Sequence, residues 1–534
     1  MTQPATEWNI GDLIAAITPL RGATPMIVEP HRELSWADVD QRTSSVAAHL
    51  VAAGLGRGDR VGVCARNSAA VLETYLACTK AALVPFNVNF RYGVEELAYL
   101  FGNADARAIV ADADVLPAVE QAAAQAGGVR CVLAVAGAGD TYEAVASQPF
   151  AGSYTPPWGR SPDDLVFQYT GGTTGMPKGV MWRQGDLVTL LAGADAPPGD
   201  DRRGATADIA ERLAPRPRRS CAVAPLIHGT GLLSQLANLF TGGTSVVLPG
   251  LRFDPDEVWH GVDRHGVNVL VIVGDPFARP LLDRLDADRR RFDLSTLQMI
   301  TSSGAMFSQQ VKAGLLGHLP GVAILDAFGS SEASGLGSSM STSAEVDATA
   351  SFRPGVRMAI LDEAGRVLPP EPGTRGRIAV RAPVPVGYHK DPVKSAETYP
   401  VIDGQRYSVP GDIVEIAADG TVLLLGRGSA VINTGGEKVF AEEVEELLKT
   451  HPRVADAAVV AIPDDRFGSA VCAVVQIGSA AVVSAAELRD HVRGLAAAFK
   501  VPKRVMFVGD LERHPNGKLD RVRWAEHAQR ASGA

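Results

Sequence analysis

The chain has 534 residues, 46% apolar and 21% charged, with a formal net charge of −9. That length exceeds what one ordinary core supports, so two or more domains of a soluble globular protein are expected. Acids and bases are mixed along the chain, which excludes a general nucleic-acid binder with a basic face but allows local basic pockets for a phosphate ligand.

The first residues, Met1-Thr2-Gln3-Pro4-Ala5-Thr6-Glu7, carry no positive charge, and Asp12 interrupts the apolar stretch 10–20, so a secretory signal is not expected. No apolar run is long enough for a transmembrane helix. The five cysteines (Cys64, Cys78, Cys131, Cys221, Cys472) are scattered and never spaced as metal ligands, which reads as free thiols in a reducing cytoplasm. The final Ala531-Ser532-Gly533-Ala534 is neither a peroxisomal nor an ER-retention signal.

In chain order, residues 36–53 predict a helix closed by Gly54 and the turn Arg57-Gly58-Asp59. Residues 60–65 predict a buried strand and 69–82 another helix; 108–111 and 131–135 predict further core strands. Short apolar strands between helices point to a largely parallel α/β sheet. Residues 194–220 are rich in Pro, Gly, Asp and Arg and read as an exposed insertion. Two turn-rich sections within 362–377 suggest a β-hairpin-rich subdomain. A boundary falls near Leu425-Gly426-Arg427-Gly428-Ser429, dividing 1–426 from 427–534 with a hinge at 426–429. The second part predicts a small α+β domain, with helices at 441–450 and 485–498 and strands near 457–462 and 471–477.

The strongest chemical signal is Thr170-Gly171-Gly172-Thr173-Thr174-Gly175-Met176-Pro177-Lys178. Glycines let backbone N–H groups approach an anion closely, threonines add donors and lysine adds charge, a combination suited to a polyphosphate. It is not a Walker A loop, because Lys178 lies between Pro177 and Gly179. Further runs follow: Ala224-Pro225-Leu226-Ile227-His228-Gly229, Ser303-Gly304-Ala305, Asp326-Ala327-Phe328-Gly329-Ser330-Ser331-Glu332, Tyr407-Ser408-Val409-Pro410-Gly411-Asp412, Asn433-Thr434-Gly435-Gly436-Glu437-Lys438 and His514-Pro515-Asn516-Gly517-Lys518.

In this order the runs resemble the acyl-adenylate-forming superfamily of acyl-CoA synthetases, carrier-protein adenylation domains and luciferases, over about 34–521. The resemblance implies an α/β fold, with a large N-terminal domain of mixed sheets, helices and a β-rich subdomain, and a small mobile α+β C-terminal domain. It implies ATP, Mg²⁺ and coenzyme A as cofactors and a carboxylic acid as substrate. Thr170 to Gly175 and Lys178 would hold the β- and γ-phosphates, with Thr174 counted in the catalytic set. His228 would line the acyl pocket near the carboxylate, and Gly304 and Ala305 would run along the adenine. In the run from Asp326, Phe328 would stack on adenine, Ser331 would lie near the α-phosphate, Asp326 and Gly329 would belong to the nucleotide-binding set, and Glu332 would hold Mg²⁺, for which one carboxylate beside phosphates and water suffices. Asp412 would accept both ribose hydroxyls, although Val409-Pro410 departs from the usual Arg-Thr before it; Arg427 would contact ribose or phosphate at the hinge. Ser429 stands where many relatives have aspartate or lysine. Gly435, Gly436 and Lys438 would line the tunnel for the CoA thiol, and Lys518 would be the catalytic lysine.

Ala222-Val223-Ala224-Pro225 lacks the aspartate that amino-acid-activating members use for the substrate ammonium, which favours a plain carboxylic acid. The runs 87–92, 274–280 and 425–429 resemble actinobacterial acyl-CoA ligases, among them those acting on steroid side-chain or ring-derived carboxylates, with medium- or long-chain fatty acids as the alternative. Loading a carrier protein's thiol, or nucleotide binding without catalysis, stays open. The oligomeric state is also open, a homodimer included.

Overall fold

The computed structural model describes residues 8–137, 140–172, 175–192, 213, 217–248, 250, 252–427, 431–434, 437–464, 468–478, 482–496, 498–513 and 519–531. Its first sheet runs Gly387–Tyr388, Gly175–Arg183, Leu165–Gly172, Val84–Asn87, Arg60–Cys64, Ala106–Asp112 and Cys131–Val135. The last five strands are mutually parallel, while Gly175–Arg183 turns back antiparallel on both neighbours. Val61 and Val63 on one face of this layer and Cys64 on the other are all buried, as parallel strands covered by helices require.

The helices obey local chemistry. Trp36–Ala52 begins with a capping box, Ser35 Oγ accepting from Asp38 N at 3.1 Å and Asp38 Oδ2 accepting from Ser35 N at 2.9 Å. Ala69–Lys80 ends earlier than expected because Ala82 takes a left-handed φ of 55°.

A second, larger sheet is parallel through Pro25–Glu29, Thr244–Val246, Arg219–Ala222, Val269–Ile272, Met299–Ser303 and Ala323–Ser330. It then becomes antiparallel through Ala333–Ser341, Ser351–Pro354, Val422–Arg427, Asp412–Ile416, Arg375–Arg381 and Met358–Leu361. The hairpin expected within 362–377 is present, Val367–Leu368 folding back on Met358–Leu361. One continuous apolar core, including Trp36, Trp182 and Trp259, lies between the layers. The expected insertion ends sooner than read, since Arg219 and Ser220 belong to a buried strand; most of 194–218 lies outside the described residues.

Beyond Arg427 lie a two-stranded ribbon, Val431–Thr434 with Glu437–Phe440, and a three-stranded sheet of Val454–Asp464, Gly468–Ile477 and Arg504–Val508. Helices Ala441–Lys449, Ala485–Leu495 and Arg521–Arg530 pack on it around separate apolar clusters, giving a small α+β unit. The second helix is shorter than expected, a 3₁₀ turn at Ala498–Lys500 following it. Among the described residues no helix is long and apolar enough to cross a membrane.

Candidate functional site

The glycine-threonine run sits at the tip of an antiparallel hairpin: Thr170 lies opposite Lys178 and Gly172 opposite Gly175, with a register shift between. Thr173 and Thr174 lie outside the described residues. Asn87 fastens the hairpin. Its Oδ1 accepts from Tyr169 N at 2.7 Å, and its Nδ2 donates to Tyr169 O at 2.9 Å and to Ile227 O at 2.7 Å. One buried amide therefore joins the phosphate-type run to the turn before His228, satisfying three main-chain groups that burial would otherwise leave costly.

His228 is the N-cap residue of helix Gly229–Phe240, and its backbone N donates to Pro225 O at 3.0 Å. A Cβ on Gly231 would lie 2.5 Å from Pro225 O, so this turn closes only with glycine there. Thr230 Oγ1 donates to Ser303 O at 3.3 Å, and a Cβ on Gly304 (φ 89°) would lie 3.2 Å from Thr230 Oγ1. The helix start thus faces Gly304 and Ala305. Their loop is held from behind: Gly274 N donates to Ser302 Oγ at 2.9 Å, Asp275 N to Met306 O at 2.9 Å and Ser308 N to Asp275 Oδ1 at 2.9 Å.

The run from Asp326 forms the end of a strand and its turn. Asp326 is buried 3.2 Å from the equally buried Lys312. Burial pushes its carboxyl up to about 6, with Lys312 pulling the other way. This pair braces the strand from inside. Phe328 is buried and stacks on Phe352 with centroids 5.0 Å apart, so one ring face is already covered. Gly329 lies between it and the half-buried Ser331 and Glu332.

Three contacts pull Glu332 toward the other motifs. Trp182 Nε1, on the phosphate-type hairpin, donates to Ser331 O at 3.0 Å. Ser408 Oγ donates to Glu332 O at 2.6 Å, bringing in the strand Gln405–Ser408 that precedes Asp412 in the chain. Tyr388 Oη donates to Glu332 Oε1 at 3.1 Å. Asp412 is buried and pairs across the sheet with Arg427. Lys438 pairs in register with Asn433, while Gly435, Gly436, Ser429 and Lys518 lie outside the described residues.

Sequence reading missed Trp182, which lies just past the quoted glycine-threonine run, and four further residues. Asn87 lay inside a quoted run without a role, Ser408 stood beside a departure from the family pattern, and Tyr388 and Asp391 belonged to no motif considered. Lys178 Nζ lies 2.8 Å from Asp391 Oδ2 and 5.7 Å from the Tyr388 ring centroid. The signal available was the Gly387-Tyr388 pair close before Pro392, a short edge strand followed by a helix start.

A glycine hairpin, a lysine, a half-buried carboxylate and a buried aspartate at a strand start are groups whose chemistry suits a polyphosphate nucleotide. The model for the AMP-binding enzyme family matches residues 18–388, and that for the AMP-binding enzyme C-terminal domain matches 443–518. This chain belongs to the AMP-binding enzyme family. It is 40% identical to the medium/long-chain-fatty-acid–CoA/3-oxocholest-4-en-26-oate–CoA ligase of Mycobacterium marinum, covering 99% of this chain and 98% of that one. It is 38% identical to the 3-oxocholest-4-en-26-oate–CoA ligase of Rhodococcus rhodochrous, covering 97% and 95%. The crystal structure of an anthranilate CoA ligase in complex with anthranoyl-AMP shares the fold, with a TM-score of 0.84 at 22% identity over 100% of this chain and 99% of that one.

Proposed function

We propose that this chain is an ATP-dependent acyl-CoA ligase that activates a hydrophobic carboxylic acid as acyl-AMP and then passes the acyl group to the thiol of coenzyme A. The observation that carries the reading is the joining of the phosphate-type hairpin, the Glu332 turn and the segment leading into Asp412 by the side chains of Trp182 and Ser408. The full-length similarity to CoA ligases supports it.

A carboxylate is a poor electrophile, so thioester formation needs a better leaving group. Its oxygen attacks the α-phosphorus of ATP, the bond to the β-phosphate oxygen breaks, and pyrophosphate departs. Main-chain donors of the hairpin, with Lys178, hold the departing phosphates. Ser331 lies near the α-phosphate, Asp412 and Arg427 hold the ribose, and Lys518 of the small domain meets the charge that develops on the α-phosphoryl oxygens. His228 and the Gly304-Ala305 loop border the carboxylate end of the acyl pocket. The boundary at 426–429 divides 1–426 from 427–534 and lets the small domain turn, so that Gly435, Gly436 and Lys438 present the CoA thiol to the acyl carbon; the carbon–sulfur bond forms as the acyl–phosphate bond breaks, and AMP and the thiol proton leave.

The donor set suits Mg²⁺. Glu332 is half-buried, Tyr388 takes one oxygen, and among the described residues no partner takes the other. A single carboxylate completed by phosphates and water is a usual Mg²⁺ arrangement, and the ion would neutralise phosphate charge.

The acid follows the relatives: a medium- or long-chain fatty acid, or a steroid side-chain or ring-derived carboxylate. ATP–pyrophosphate exchange across fatty, aromatic and steroid acids tests this. Exchange is expected with fatty or steroid acids and not with amino acids; silence across the panel while ATP still binds would sink the reading. Replacing free CoA by a carrier protein with the same acid separates the two acceptor thiols.

A further inference from the structure

The ion pair between Lys178 and Asp391 joins residues 213 positions apart in sequence. Asp391 uses its two oxygens for different tasks: Oδ1 accepts from Lys394 N at 3.0 Å as the N-cap of helix Pro392–Thr398, and Oδ2 accepts from Lys178 Nζ. The segment is clamped to the strand that carries Lys178. Val386 N donates to Met181 O and His389 N to Gly179 O, both at 2.8 Å, and Gly387 and Tyr388 pair with Met181 and Val180. Asp391 is therefore a fixed anion and Lys178 a cation on a flexible four-carbon stem, its side chain 44% exposed.

We propose that Asp391 is a positioning residue, the resting counter-ion of Lys178, which competes with the polyphosphate for the lysine and so eases release of pyrophosphate. This rests on the reading of Lys178 as a phosphate ligand. When nucleotide binds, the ammonium leaves Oδ2 for the β- and γ-phosphates; when pyrophosphate is ready to depart, Oδ2 takes the ammonium back. Asp391 itself borders an open cleft of about 420 Å³ that Lys390 and Arg406 also line, so it stands at the solvent side of the pair. The competition is of moderate strength: partly exposed pairs shift an equilibrium by about two- to fivefold, enough to ease release without abolishing binding.

The test is calorimetric binding of magnesium pyrophosphate and of MgATP to the full chain, which needs no acyl substrate. Asp391→Asn keeps the helix cap and removes the charge; Asp391→Ser is a second capping variant should the first fold poorly. Both are expected to tighten pyrophosphate by about threefold. Lys178→Met is expected to weaken it, and adding Asp391→Asn to Lys178→Met should then change nothing. Unchanged or weaker pyrophosphate binding by Asp391→Asn, with Lys178→Met still weakened, overturns the counter-ion role alone. Tightening that persists without Lys178 means through-space repulsion, and also overturns it. If Lys178→Met binds both ligands as well as the parent, the phosphate reading of Lys178 fails and the proposal falls with it.

Discussion

At the scale of single residues, the site depends on short polar side chains that point one functional group at another. Tyr388 is the clearest case. Its phenol is held protonated, pushed up by burial and by the neighbouring Glu332 carboxylate, so it stays a donor at any physiological pH. One oxygen of Glu332 is thereby fixed, and the other is the one that the proposed Mg²⁺ would use. Removing the donor should loosen the carboxylate without altering the chemistry. Tyr388→Phe is expected to raise the Mg²⁺ concentration needed for half-maximal exchange by about tenfold, with the rate at saturating Mg²⁺ nearly unchanged. A rate lost equally at all Mg²⁺ concentrations would show that Tyr388 does something other than orient Glu332.

At the scale of elements, the helices behind the first sheet are locked by a polar cluster as well as by apolar contact. Arg42 on helix Trp36–Ala52 pairs with the fully buried Glu73 on Ala69–Lys80 and with Glu143 on Thr141–Ala146, and Tyr142 Oη adds a donor to Glu73 at 3.2 Å. A buried carboxylate is tolerated only with such company. Hydrogen bonds from Arg42 hold the Glu143 carboxyl down at about 2 against its ordinary 4.5, burial opposing them. The sign follows. As pH falls the unfolded chain takes up this proton first, so the stability Glu143 contributes is full above about 4.5 and lost between there and about 2. In denaturant unfolding, the gap between the parent protein and Glu143→Gln should be widest above pH 4.5 and close as pH falls. A gap independent of pH would mean that Glu143 acts through packing alone. The element pattern was largely legible in sequence. The strands at 60–65 and 131–135 and the helix at 36–53 needed only local periodicity and a closing glycine, and the structure has them within a residue or so. Helix ends were less legible, because Ala82 and the 3₁₀ turn at Ala498–Lys500 depend on what the chain packs against next.

At the scale of the whole molecule, the large and small units meet where the first ends. Gly426 takes a left-handed φ of 132°, and a Cβ there would strike the Glu442 carboxylate. Glu442 in turn pairs with Arg521 at 3.0 Å, and the Arg375 guanidinium lies 4.7 Å from the Phe440 ring centroid. If the small domain alternates as proposed, its lysine serves one half-reaction and not the other. Lys518→Ala should lower acyl-AMP formation by about 10²–10³-fold while still converting supplied acyl-AMP to thioester. Equal loss in both halves, measured in single turnovers, would remove the case for rotation.

By itself the sequence determined which chemical groups are present and in what local order, because each motif is a short contiguous run whose backbone needs and donor chemistry are local. Thr170 to Lys178, the turn at His228 and the run ending at Glu332 were all readable for that reason. Tertiary structure alone decided which runs touch and through which atoms. Asn87 reaches Ile227 across 140 positions, Trp182 reaches Ser331 across 149, Ser408 reaches Glu332 across 76 and Asp391 reaches Lys178 across 213. No local pattern encodes those meetings. They follow from the order in which strands enter two sheets, set by burial of apolar faces far from the site.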